Sequence, residues 1–170
     1  MMTNEKFDLV VEIEENKAPP EFDEYMAIEK LEDKLKNYDS RFYIKESEFY
    51  NVFLVELLET NINAALKLAE TSLKKNFDVV PIELVVSSKP EIILKNIINI
   101  SKNKIKDGET FTIKCNIRGT RYIKSKEKFM DSIYKELEKT KGQPDETRPD
   151  WIIHIEVVGE HTGISVVKRK

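Results

Sequence analysis

Arg118, Gly119 and Arg121 are followed by Lys124, Lys126 and Lys128 in a chain whose formal net charge is −3. Guanidinium and ammonium groups gathered this closely are suited to phosphate, and a glycine among them lets the backbone turn or approach a ligand. The run just before them, Phe111 to Arg118, alternates strictly. Phe111, Ile113, Cys115 and Ile117 fall on one face, and Thr112, Lys114, Asn116 and Arg118 on the other, which is the period of a half-buried strand. Lys114 and Arg118 are therefore expected on the open face. Lys126 and Lys128 open the following helix, where cations oppose the helix dipole at a cost of about a few tenths of a kcal/mol. Charges placed against the local preference serve another purpose, and the free N–H groups of a helix start also suit phosphate. The preceding helix adds Lys95, Lys102 and Lys106, which share a face with Asn99. Tyr122 could stack on a base or pack half-buried.

Other chemistries find little material. Cys115 is the only cysteine and alternates with the apolar positions, so it reads as a small core hydrophobe rather than a nucleophile. A single cysteine also permits no intrachain disulfide, which fits a reducing compartment. The two histidines, His154 and His161, have no His or Cys partner at ligand spacing and read as surface or packing residues. No nucleotide-binding glycine motif and no nucleophile elbow is present. Neither a catalytic residue nor a metal or cofactor site is expected.

Charge divides the chain. Residues 1–80 carry 10 Lys/Arg and 18 Asp/Glu, a net of −8, whereas residues 89–128 carry 11 and 4, a net of +7. The overall acidity thus does not exclude nucleic acid. No run approaches the length of a membrane span, and the N-terminus lacks a basic segment followed by an apolar one, so a soluble cytoplasmic protein is expected.

These residues need elements to hold them. Phe7 to Ile13 alternates as a strand; Ala18-Pro19-Pro20 breaks the chain; Ile28, Leu31, Leu35 and Tyr38 recur at helical spacing. Arg41–Lys45 and Val52–Leu57 read as a hairpin across a polar turn, Asn61–Lys75 as a helix, and Val79–Val86 as one extended run. Strand, helix, strand, strand, helix, strand is the βαββαβ order of a ferredoxin-like unit. A second unit begins with a helix at Ser88-Lys89-Pro90-Glu91, with Ser88 as its cap and Ile93, Ile97 and Ile100 facing a core. It continues with the strand 110–118, a helix over 126–140 built on Phe129, Met130, Ile133 and Leu137, a polar loop over 141–149, and a hairpin of strands 151–158 and 163–167. The fold class is α+β, with an N-terminal ferredoxin-like domain over 1–78 and an α/β domain over 79–170.

The second unit resembles a THUMP domain. The resemblance rests on Thr110 to Lys114 leading to Ile117-Arg118-Gly119, on Ser125 opening a helix, on Arg148-Pro149-Asp150-Trp151 running through Ile155-Glu156-Val157-Val158-Gly159, and on Gly163-Ile164-Ser165-Val166. The unit before it is similar to the N-terminal domain that usually accompanies THUMP. The resemblance implies tRNA binding, often at the acceptor stem and its 3′ end, with Lys114, Arg118, Gly119, Arg121, Lys124, Ser125 and Lys126 as the RNA-binding positions and Lys95 and Lys102 beside them. Most THUMP enzymes add a catalytic domain, and this chain ends at Lys170. It is most similar to stand-alone THUMP proteins that assist an RNA acetyltransferase in forming N4-acetylcytidine, with acetyl-CoA and ATP belonging to that partner. The expectation is a non-catalytic tRNA-binding adaptor. The alternatives are the recognition part of another tRNA-modifying activity, thiolation or methylation, and a protein-interaction module without RNA.

Overall fold

The computed structural model describes residues 5–14, 24–36, 41–57, 62–69, 77–119 and 121–169. The chain divides into two compact units, Lys6–Glu83 and Leu84–Lys170.

In the first unit the elements run β1 (Leu9–Ile13), α1 (Glu24–Lys36), β2 (Phe42–Glu46), β3 (Val52–Leu57), α2 (Ile62–Ala69) and β4 (Phe77–Pro81). The sheet order is β2-β3-β1-β4, and every neighbouring pair is antiparallel. This is the ferredoxin-like topology that the element order predicted. Each strand sends alternate residues to the helices: Leu9, Val11 and Ile13 of β1, Phe53, Val55 and Leu57 of β3, and Phe77 of β4 are buried with Ala27, Leu31 and Leu35 of α1 and Ala65 of α2. Asp8 ties the sheet from outside the hydrophobic set, its carboxylate accepting the Leu57 N–H at 2.7 Å. The Pro19-Pro20 break, Tyr38 and the expected helical residues beyond Ala69 lie outside the described residues.

The second unit follows as β5 (Leu84–Ser87), α3 (Pro90–Lys104), β6 (Thr110–Arg118), α4 (Lys126–Leu137), β7 (Gln143–Pro144), β8 (Trp151–Val158) and β9 (His161–Lys168). Its sheet order is β5-β9-β8-β6-β7. β6 lies parallel to both β7 and β8, and β9 is antiparallel to β8 and β5. β5, β6, β7 and β8 therefore all run one way. Phe111, Ile113 and Cys115 pack with Ile153, Ile155, Val157, Ile164 and Val166 on one face, beneath Ile93 and Ile97 of α3 and Ile133 and Leu137 of α4. The Phe111 and Tyr134 rings stack with centroids 5.9 Å apart.

Several sequence expectations change here. The extended run Val79–Val86 is two strands, because Val79 and Val80 pair with β1 whereas Leu84 to Val86 pair with β9. The expected division after residue 78 falls inside β4, and the chain passes from one unit to the other between Glu83 and Leu84. Ser88 does not cap α3. Lys89 is the cap residue, without a side-chain bond, and the Ser88 hydroxyl is instead buried against the Thr162 hydroxyl at 2.8 Å. Lys106 lies past the end of α3, α4 stops at Leu137 rather than 140, and the polar loop over 141–149 contains the short strand β7.

Candidate nucleic-acid interface

The direction of the strands decides where the cations gather. The carboxyl ends of β5, β6 and β8 share one edge of the sheet, so the connections leaving them meet there. Three contacts show the meeting. The Gly159 N–H donates to the Arg118 carbonyl at 3.0 Å, and the Ser88 N–H donates to the Glu160 carbonyl at 3.0 Å. Across the same edge Arg121 forms an ion pair with Glu160. Helices α3 and α4 both begin at this edge, which in open α/β sheets is where ligands bind.

Arg121, Lys124, Lys126 and Lys128 are exposed here, and Gly119 is exposed with a φ of 93°. That backbone angle favours glycine and turns the chain out of β6. Ser125 caps α4, its hydroxyl accepting the Lys128 N–H at 3.3 Å. Its side chain therefore fixes the helix start that carries Lys126 and Lys128. Arg121 is 72% exposed, its guanidinium 5.3 Å from the Tyr122 ring centre, and the Tyr122 hydroxyl donates to Glu160 at 3.3 Å. Tyr122 itself packs half-buried against the core.

Lys95 is exposed in the second turn of α3, on the same end of the unit. Lys102 is exposed in the last turn of that helix, about 18 Å from its start at 1.5 Å per residue, and thus near the opposite edge. Lys114 is exposed in mid-strand and faces away from the helices beside His154, its register partner. The structure brings Gly119, Arg121, Lys124, Ser125 and Lys126 together, sets Lys95 nearby, and holds Lys102 apart.

Arg118 behaves differently from its neighbours. Its side chain is only 10% exposed and pairs at 3.0 Å with the carboxylate of Glu156, which is 2% exposed. Asn116 donates to the other Glu156 oxygen at 3.1 Å. The open-face position read from the alternation is right, but Arg118 spends its guanidinium within the sheet. Sequence reasoning missed Glu156 and Glu160 as the partners of Arg118 and Arg121. The Glu160 signal lay in its turn position, one residue after Gly159.

Cys115 is buried and His154 half-buried. Burial pushes the Cys115 thiol up to about 11, against a smaller lowering by Lys126, so it stays protonated and unreactive at neutral pH. Burial, helped by Lys114, pushes the His154 imidazole down to about 4, so it is neutral under the same conditions. Among the described residues no three His, Cys, Asp or Glu side chains come together as a metal would require.

The second unit is thus an α/β domain with an exposed basic rim along the carboxyl edge of a largely parallel sheet. Residues 87–167 match the model of the THUMP domain, and this part of the chain is a THUMP domain. No curated protein sequence matches the chain. Among solved structures it is similar to PH1313 from Pyrococcus horikoshii Ot3, with a TM-score of 0.72 at 14% identity, over 97% of this chain and 55% of that one. It is also similar to a 4-thiouridine synthetase solved in complex with RNA and bound ATP, with a TM-score of 0.60 at 16% identity, over 97% of this chain and 42% of that one. TrmN from Thermus thermophilus gives 0.57 at 13% identity, over 93% and 44%. The chain spans about half the length of these structures, and at such identities the likeness is one of fold.

Proposed function

We propose that this protein binds tRNA, at its acceptor stem and 3′ end, through the basic rim of its THUMP domain, and presents it to a separate modifying enzyme in the cytoplasm. The observation that carries this reading is the gathering of Arg121, Lys124, Lys126 and Lys128, all exposed, on the edge where two helices begin, within a domain of an RNA-binding family. Phosphate contacts supply affinity there, and the shape of the folded RNA supplies selectivity. The enzyme served is an RNA cytidine acetyltransferase, the reading that the sequence resemblance favours. A second reading, recognition for a thiolation activity, draws support from the likeness to a 4-thiouridine synthetase solved with RNA.

Two measurements test these statements. Purified protein is titrated with tRNA at low and moderate salt, with retention expected at low salt. The tRNA nucleosides of a strain lacking the protein are then profiled. Loss of N4-acetylcytidine supports the adaptor reading, loss of 4-thiouridine supports the second, and failure to retain tRNA at low salt overturns both.

A further inference from the structure

Every large hydrophobic residue that is strongly exposed among the described residues lies in the acidic first unit: Tyr25, Met26, Tyr43 and Tyr50. Two of the tyrosines occupy the same end of that unit. β1 and β2 finish there, and the turn between β2 and β3 is bonded to β1 by the Ile13 N–H donating to the Asn51 carbonyl at 2.9 Å. Tyr50 sits in that turn, 70% exposed. Few residues separate Lys36 at the end of α1 from Phe42 at the start of β2, so α1 runs back along the sheet. Its first turn, with Tyr25 at 71% exposure and Met26, therefore comes to the end where β2 finishes.

This turn is a fixed platform. The Ser47 hydroxyl donates to the Val52 carbonyl at 2.7 Å and accepts the Phe49 N–H at 3.1 Å, while Asn51 takes a φ of 64° to close the loop. Two exposed carboxylates, Glu46 and Glu48, shortly precede Tyr50 in the sequence, within a region whose net charge is −8 over residues 1–80. A rigid aromatic that stays in water contributes nothing to the core but loses little entropy when something binds it. These two carboxylates repel phosphate and favour a cation. Arginine fits both features, since its guanidinium stacks on a tyrosine face and forks to a carboxylate, whereas lysine manages only the charge.

We infer that the end of the first unit bearing Tyr25, Tyr50, Glu46 and Glu48 is a docking surface for an arginine-rich segment of a partner protein. Peptide binding is read without RNA, so this surface and the RNA reading stand or fall separately. The test uses the full chain and a labelled peptide of alternating arginine and serine, with the lysine counterpart as control. The arginine peptide is expected to bind at least about threefold more tightly than the lysine one. Tyr25→Ala with Tyr50→Ala lowers its affinity by about tenfold, and Glu46→Gln with Glu48→Gln lowers it and flattens its salt dependence. Circular dichroism confirms that both variants remain folded, as their exposure allows, and both keep wild-type affinity for tRNA. Equal binding of the two peptides, or an unchanged affinity in the tyrosine variant, overturns the inference. So does a tyrosine variant that loses tRNA in place of the peptide, because the aromatics would then be stacking platforms for bases.

Discussion

Arg118 and Arg121 stand three positions apart and have opposite duties. Arg118 is a buried partner of Glu156; Arg121 is exposed, and its ion pair with Glu160 is made in water. Removing one member of a buried pair strands the other, which typically costs about 3–5 kcal/mol. Arg118→Ala is therefore expected to lower unfolding free energy by about 3 kcal/mol in urea denaturation. Arg121→Ala should move it by less than about 0.5 kcal/mol, yet weaken tRNA binding about tenfold. The alternation from Phe111 to Arg118 was enough to place Arg118 on the correct face. It carried no information about Glu156, which lies 38 residues away and meets Arg118 only because β8 runs parallel to β6. His154 gives a second expectation at this scale. The unfolded chain takes up its proton near 6.5, whereas the folded protein resists until about pH 4. Its contribution is therefore complete above pH 6.5 and declines as pH falls towards 4, by up to about 3 kcal/mol. Urea titrations at a series of pH values should show that decline, and His154→Gln should remove most of it.

At the scale of elements, local period was informative and partnership was not. The β1–α1–β2–β3–α2–β4 order, the hairpin of β8 and β9, and the apolar stripes of α3 and α4 all follow from spacings of two or of three and four. The misreadings occur where a distant element decides. Val79–Val86 is continuous in hydropathy but is divided between two sheets. Ser88 has the right spacing for a cap but is claimed by Thr162 across the sheet. Gln143 and Pro144 look like loop and become a strand because the edge of β6 is open to them. The approach to that edge is made by Gly142, and space is the reason for the glycine. A Cβ there would lie 2.9 Å from Cγ2 of Ile105 and 3.0 Å from Cδ1 of Phe111. Both neighbours are core side chains, so they have little freedom to withdraw. Gly142→Ala is expected to destabilise the domain by about 1–3 kcal/mol in thermal or urea unfolding, with tRNA affinity unchanged at temperatures where the variant is folded.

For the molecule as a whole, the separation of charge is the property with the most direct measurable consequence. The acidic residues are concentrated in the first 80 positions and the basic ones within 89–128, and the THUMP domain turns a subset of the latter into a rim along one sheet edge. RNA held at that rim, as proposed, releases its counterions, so log K should fall linearly with log salt, by about 0.7–0.9 for each phosphate contacted. Replacing Arg121, Lys124 and Lys126 together by alanine should reduce the slope by about 2–3. Lys102 is the natural control: it is exposed like the others, but sits in the last turn of α3, away from the rim. Lys102→Ala should leave the slope unchanged if the phosphates are held at the carboxyl edge. Filter binding across a salt series distinguishes the two placements. A slope that drops equally for Lys102→Ala and for Arg121→Ala would mean that the RNA lies along α3 rather than across the ends of β5, β6 and β8.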